Sequence, residues 1–327
     1  MSEQRASGPR RVLILGTGGT ISGRAATTGD NIGYVAGQVG VAELLAGIEA
    51  PPTVSLEAEQ VAQLDSKDME FAIWLALARR CAQALSEPDC AGIVITHGTD
   101  TLEETAFFLH SVLNADKPVV LTCAMRPASA LSPDGPQNVR DAVAVAATEG
   151  ACGVTVVCAG TVHSAVDVQK VHTYRLDAFS SGDAGPVGFV EEGVVRRVRP
   201  WSESGPGLSA ALKWPHDLEP PRVEIVFSHA GARGTLIDAL NSERSQGAPG
   251  AFRGLIIAAT GNGTLHHEIE QAASRSMAAG VKVVRATRCA EGRILPKPGD
   301  PIPDAGGLNP VKARVALQLE LISAESA

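Results

Sequence analysis

Two stretches far apart in this chain have the same build, and together they restrict the fold more than any other feature. Gly92-Ile93-Val94-Ile95 is a short apolar run that ends abruptly in Thr96-His97-Gly98-Thr99-Asp100-Thr101, and an amphipathic helical pattern follows from Leu102. Val12-Leu13-Ile14-Leu15 ends likewise in Gly16-Thr17-Gly18-Gly19-Thr20-Ile21. An apolar run of this length, bounded by turn residues, reads as a strand buried on both faces, as in parallel sheets. Open α/β sheets place their ligands beyond the carboxyl ends of the strands. Two strand ends carrying hydroxyls and a carboxylate can therefore converge on one pocket.

The remainder of the chain continues the alternation. Strand patterns are expected at Val12–Leu15, Thr53–Leu56, Ile93–Thr96, Val119–Thr122 and Val154–Cys158. Helical patterns fall between them at Val41–Ile48, Asp68–Leu85, Leu102–Leu113 and Gln137–Thr148, with Thr101 and Glu104 spaced as a capping box. Phe189–Val198 reads as a hairpin around Glu192-Gly193. Pro200, Pro206, Pro215, Pro220 and Pro221 then interrupt any apolar period. Beyond them, strands at Val223–Phe227, Leu255–Ala258 and Val281–Arg285 alternate with helices at Thr235–Asn241, Leu265–Ala279 and Pro310–Leu321. The fold class is α/β, with a larger N-terminal domain on a parallel or mixed sheet and a smaller C-terminal α/β domain. The expected boundaries are 1–198 for the first domain, 199–221 for a linker and 222–327 for the second, with residues 1–9 as a frayed tail.

The two hydroxyl-bearing segments resemble the paired signatures of the bacterial-type L-asparaginase family, Thr17-Gly18-Gly19-Thr20-Ile21 and His97-Gly98-Thr99-Asp100-Thr101. The resemblance continues in the family's order through Ala124-Met125-Arg126-Pro127, Asp134-Gly135-Pro136, Gly261-Asn262-Gly263 and Leu308-Asn309-Pro310-Val311-Lys312-Ala313-Arg314. It implies a hydrolase that converts L-asparagine to L-aspartate and ammonia through a threonine acyl-enzyme. It also implies a homotetramer built from dimers that share their active sites. A broad-specificity glutaminase-asparaginase is the nearest alternative. A non-catalytic amino-acid or nucleotide-binding module on the same fold is the alternative from another class.

Amide hydrolysis needs a nucleophile, a route for its proton and donors for the developing oxyanion. Thr17, set among glycines just past the first strand, is the expected nucleophile. Glycines after a first strand also suit a phosphate loop, but the dinucleotide fingerprint requires a third glycine where this chain has Ile21. Tyr34, in the glycine-rich segment Thr28–Gly40, matches the family tyrosine whose phenol partners the nucleophile. By the same resemblance Thr99, Asp100 and Lys170 form a Thr-Lys-Asp triad, in which the ammonium and carboxylate offset one another's burial and polarise the hydroxyl. His97 is expected to be structural.

For substrate recognition, Asp100 can accept the α-ammonium and Ser66 can donate to the α-carboxylate, or cap a helix, or both. Lys67 stands where the family often has glutamine, so it either turns outward or alters the substrate range. The resemblance carries Asn262 into the neighbouring subunit's site with an acidic residue of the following loop, for which Glu291, Asp300 and Asp304 all remain candidates.

Composition narrows the partners. The net charge of −8 argues against nucleic acid, whose phosphates need clustered Lys and Arg, and Arg196-Arg197-Val198-Arg199 is too short to reverse that. No apolar run approaches the roughly 18 residues of a membrane span. Residues 1–11 carry no apolar signal core, and six cysteines without a Cys-x-x-Cys pair suit reduced thiols, so a cytoplasmic location is expected. No His, Cys and carboxylate cluster has ligand spacing, so no metal or organic cofactor is expected.

Overall fold

In the computed structural model, five parallel strands form one side of an eight-stranded sheet, in the spatial order Val54–Leu64 (at the edge), Arg10–Gly18, Cys90–Thr96, Val119–Thr122 and Val154–Cys158. Three antiparallel strands, Thr161–Ser164, Gly188–Glu191 and Val194–Arg197, continue it beyond Val154–Cys158. The structure describes residues 10–325 apart from 28, 202–204, 206–207 and 216–217. The expected tail at 1–9 and parts of the expected linker at 199–221 therefore lie outside the described residues.

The parallel strands are buried on both faces. Val12, Ile14, Val94 and Val120 share one core with Val139 and Val143 of the helix Gly135–Ala147. Successive strand residues alternate, so the fully buried Leu13, Leu15, Ile93 and Ile95 point to the opposite face. Burial of each such side chain stabilises the fold by roughly 1.5–3 kcal/mol. The strand Arg10–Gly18 lies between Val54–Leu64 and Cys90–Thr96, so the strand order reverses at its edges. That reversal makes it the switch point at which α/β sheets open a crevice.

Several boundaries differ from expectation for physical reasons. Val54–Leu64 is far longer than the expected Thr53–Leu56, because this edge strand alternates apolar with exposed polar residues and its outer half lacks an apolar run. The helix expected at Val41–Ile48 is only Val41–Leu44. Thr101 makes no side-chain cap, so the expected capping box does not form; its hydroxyl instead donates to the Ser66 carbonyl at 2.7 Å. The hairpin turn is as expected, with Glu192 at φ 49° and Gly193 at φ 76°, the two left-handed positions that a tight two-residue connection requires.

The chain divides into two compact units, residues 1–216 and 217–327. In the second, Val223–Phe227, Gly254–Ala259 and Lys282–Thr287 form a parallel sheet with Gly254–Ala259 in the middle. Ile237, Leu240, Ile269 and Ala273, from the helices Thr235–Ser245 and His267–Ala278, share a core with Leu255 and Ile257. Ala313, Leu317 and Leu321 of the helix Pro310–Glu325 join Val223 and Ile256 in another.

Candidate active site

Strand register brings the two hydroxyl-bearing turns together. Gly16 pairs with Thr96 on the neighbouring strand, so both turns leave the sheet side by side at the switch point. They are in contact: Gly19 has φ 83°, and a Cβ there would lie 2.3 Å from Gly98 Cα. A side chain at position 19 would force the turns apart.

The two threonines of the first turn have different surroundings. Thr17 is still within the strand and is buried, and its hydroxyl donates to the Thr96 carbonyl at 2.9 Å. After the left-handed Gly18 and Gly19 the chain swings out, and Thr20 opens a short 3-10 turn with its hydroxyl 2.6 Å from the Tyr34 phenol. Tyr34 sits on a two-residue strand paired antiparallel with Arg24–Ala25, and its ring lies across Gly23, where a Cβ would come within 2.6 Å of it. The expected pairing of Tyr34 with Thr17 is thus replaced by a pairing with Thr20. The second hydroxyl of the same motif was the signal that could have found it, since strand alternation and the glycine pair decide which threonine leaves the sheet.

On the second turn, Lys170 joins Thr99 and Asp100. Its Nζ donates to Thr99 Oγ1 at 2.8 Å and to Asp100 Oδ1 at 2.6 Å, and Thr99 Oγ1 donates toward the same carboxylate oxygen at 3.5 Å. Thr99 is buried, the Lys170 side chain is 18% exposed, and that of Asp100 is 57% exposed. Lys170 is aimed by a two-residue strand, Gln169–Lys170, paired with Phe179–Ser180. The three residues expected as a triad therefore share one hydrogen-bonded cluster.

Ser66 and Lys67 part company. The Ser66 hydroxyl accepts the Asp100 N–H at 3.2 Å, which leaves its own proton available to a ligand. Asp65, not Ser66, caps the short turn by accepting from Lys67 N–H. The Lys67 ammonium turns outward onto Asp65 at 2.8 Å and Asp68 at 3.2 Å.

His97 is fully buried beneath the second turn. Its Nδ1 lies 2.7 Å from the Gly98 carbonyl and its Nε2 lies 2.9 Å from the Thr105 hydroxyl, which also receives Trp74 Nε1–H at 2.8 Å. Burial pushes the imidazole pKa down to about 4, against a smaller opposing pull from the Gly98 carbonyl. A neutral ring held on both nitrogens is structural, as expected.

Two further family-like segments of the first unit, residues 124–127 and 134–136, are tied to each other. Asp134 accepts the Met125 and Arg126 N–H groups at 3.0 and 2.8 Å. Asn138 donates to the Cys123 carbonyl and to Asp134, and accepts the N–H of Ala159, which is held at φ 49°. The Arg126 guanidinium lies over the Tyr174 ring at 4.1 Å. All six cysteines are free thiols, and burial pushes Cys81 up to about 12, so it stays protonated near neutral pH.

In the second unit, the Asn262 side chain clamps one backbone position, accepting Leu295 N–H at 2.7 Å and donating to the Leu295 carbonyl at 3.2 Å. Of the acidic candidates nearby in sequence, Asp300 is ion-paired with buried Arg285 and Asp304 accepts Gly306 N–H at 2.9 Å. Glu291 is exposed. Among the described residues no group of three His, Cys, Asp or Glu side chains could hold a metal ion, and no helix is long and apolar enough to cross a membrane.

Comparison with known proteins adds an independent line. The family model "Asparaginase, N-terminal" matches residues 11–202, and "Glutaminase/Asparaginase C-terminal domain" matches residues 222–326. The chain is 35% identical to L-asparaginase 2 of Escherichia coli, over 95% of this chain and 88% of that one. It is also 35% identical to the glutaminase-asparaginase of Pseudomonas fluorescens biotype A, over 95% and 86%. Among solved structures it is similar to a probable cytoplasmic L-asparaginase from Campylobacter jejuni, with a TM-score of 0.85 and 35% identity over 96% of this chain and 95% of that one.

Proposed function

The chain belongs to the asparaginase family, whose N- and C-terminal domain models it matches in succession, and on that footing we propose that it hydrolyses L-asparagine to L-aspartate and ammonia through an acyl-enzyme on Thr20. The observation that carries the choice of residue is the 2.6 Å contact between the Thr20 hydroxyl and the Tyr34 phenol. An alcohol is a weak nucleophile at its own pKa and needs a neighbour to take its proton as it attacks. Thr20 has one. Thr17 instead has its proton on a backbone carbonyl within the sheet, where it braces the strand end.

In the first step the Thr20 oxygen bonds to the amide carbon and its proton passes toward Tyr34. The C–N bond then breaks and the nitrogen leaves as ammonia once protonated. In the second step water adds to the ester carbon, the Thr20 oxygen leaves with a proton, and aspartate is released. Thr99, which receives Lys170 Nζ–H and faces Asp100 Oδ1, is set to relay these protons. Asp100 Oδ2 makes no hydrogen bond among the described residues and suits the α-ammonium. The free proton of Ser66 suits the α-carboxylate. Glutamine differs from asparagine by one methylene, discriminated by only about 1–3 kcal/mol, so the ratio of the two activities is read from paired kcat/KM values.

The same reading makes the protein a homotetramer of dimers, with Asn262 completing the neighbouring subunit's site, and places it in the cytoplasm. Family membership and the free thiols support this. Residues 199–221 serve in it as the linker between the two domains. The assembly is tested by mixing Thr20→Ala with Asn262→Ala subunits: mixed dimers regain one intact site, and no recovery after confirmed exchange removes Asn262 from the shared site. The function is tested by ammonia release from asparagine, which wild type and not Thr20→Ala must show.

A further inference from the structure

Thr105 is fully buried one turn into the helix that follows Asp100, yet its hydroxyl belongs to a hydrogen-bond chain whose direction is fixed at both ends. At one end Trp74 Nε1–H can only donate, and it does so to Thr105 Oγ1 at 2.8 Å. At the other the Gly98 carbonyl can only accept, so the proton of the neutral His97 ring sits on Nδ1, 2.7 Å away. Nε2 is then the acceptor, and the Thr105 hydroxyl donates to it at 2.9 Å. One tautomer and one ring orientation satisfy every member.

Peptide planarity passes this order on to the second turn. The Gly98 carbonyl and the Thr99 N–H belong to one planar trans unit and point in opposite directions. Holding the carbonyl on the His97 ring aims the Thr99 N–H away from it, and among the described residues that N–H has no acceptor. An unpartnered backbone donor beside a polarised hydroxyl is suited to an oxygen on which negative charge develops.

We propose that Thr105 is a positioning residue for amide hydrolysis: through His97 it fixes the Gly98–Thr99 peptide, so that the Thr99 N–H is oriented for the amide oxygen in the transition state. This rests on the asparaginase assignment above. Valine at 105 keeps the volume and removes the hydroxyl, leaving His97 Nε2 without a donor and the ring free to leave the Gly98 carbonyl. An interaction made mainly in the transition state acts on kcat and spares KM.

The experiment measures kcat, KM and thermal midpoint for wild type, Thr105→Val, Thr105→Ser and Trp74→Phe with asparagine, by ammonia release. Thr105→Val is expected to lower kcat about tenfold or more with KM within about threefold, and Thr105→Ser to restore kcat to within about twofold of wild type. Trp74→Phe keeps the ring stack on Phe108, whose centroid is 5.0 Å away, and removes only the N–H; a kcat loss of about two- to threefold is expected. Wild-type kcat in Thr105→Val, or a loss that serine does not restore, overturns the proposal. If Thr105→Val does not fold, unchanged kcat in Trp74→Phe overturns it. A wild type inert toward asparagine overturns the asparaginase assignment and this proposal with it, whereas an active wild type with an indifferent Thr105→Val overturns the positioning role alone.

Discussion

The two turns that meet at Gly19 and Gly98 are supported in opposite ways. The turn carrying Thr99 and Asp100 rests on buried groups, His97 below it and Thr105 and Trp74 behind that, with the half-buried Lys170 across it. The turn carrying Thr20 is completed by Tyr34 from a small ribbon at the surface, next to Ile32 at 83% and Val35 at 60% exposure. One half of the site is therefore set by the core, and the other by a segment with little packing to hold it. Elements with few buried apolar contacts open at lower free energy than core elements. The difference suits a site that must keep its electrostatics fixed while letting substrate in past Tyr34.

The sharpest way to break this comparison is at the hydroxyls of the first turn. Thr20→Ala should lower kcat by about 10³-fold or more with the fold intact, since it removes the attacking oxygen. Thr17→Ala should keep turnover within about tenfold and cost about 1 kcal/mol of stability, the usual worth of a buried hydrogen bond. Steady-state ammonia release and urea unfolding separate the two, and a reversed pattern returns the nucleophile to Thr17. Next in size is Lys170→Met, expected to lower kcat about 10²-fold across neutral pH, because Thr99 loses its donor and Asp100 its counter-charge. Wild-type turnover in that variant would reduce Lys170 to a surface charge. Tyr34→Phe keeps the ring on Gly23 and removes only the hydroxyl, so a kcat loss of about ten- to a hundredfold is expected from the same assay.

Much of the site was legible because its chemistry is concentrated in two short motifs, but the sequence reading paired Tyr34 with Thr17, whereas its phenol meets Thr20. Both Thr17 and Thr20 flank the glycine pair, and composition gives no reason to prefer either. The choice depends on where the strand ends and on two left-handed glycines, which are backbone facts. Lys170 was found through resemblance alone, since a single lysine in a loop has no local pattern. Ser66 was read as a donor to the α-carboxylate, a cap, or both; the cap is Asp65, while the Ser66 hydroxyl accepts the Asp100 N–H from another loop. In the fold, apolar runs located the buried strands closely, as at Val119–Thr122 and Val154–Cys158. The edge strand Val54–Leu64 was clipped because edge pairing does not demand apolar residues, and the interior strand Thr161–Ser164 was overlooked because its four residues include only one apolar side chain.

The buried half of the site also carries an acid signature. His97 has a folded pKa of about 4 against 6.5 when unfolded, so below pH 6.5 the unfolded chain binds the proton that the native ring refuses. Its contribution is complete above pH 6.5 and is lost progressively as pH falls toward 4, reaching about 3 kcal/mol. Unfolding free energies between pH 7 and 4.5 should fall more steeply in wild type than in His97→Asn, which does not titrate. Equal slopes would place a titrating, solvated histidine at position 97. Smallest of all is Lys67→Gln: with the ammonium turned onto Asp65 and Asp68, KM for asparagine should stay within about twofold, and a large change would turn Lys67 back toward the substrate.

The most direct test is to locate the acyl group itself. Rapid acid quenching during asparagine turnover, followed by peptide mapping by mass spectrometry, reports which hydroxyl carries the aspartyl ester. The Thr20–Tyr34 contact predicts the ester on Thr20 in wild type, and none in Thr20→Ala. An ester on Thr17 or Thr99 would contradict the assignment.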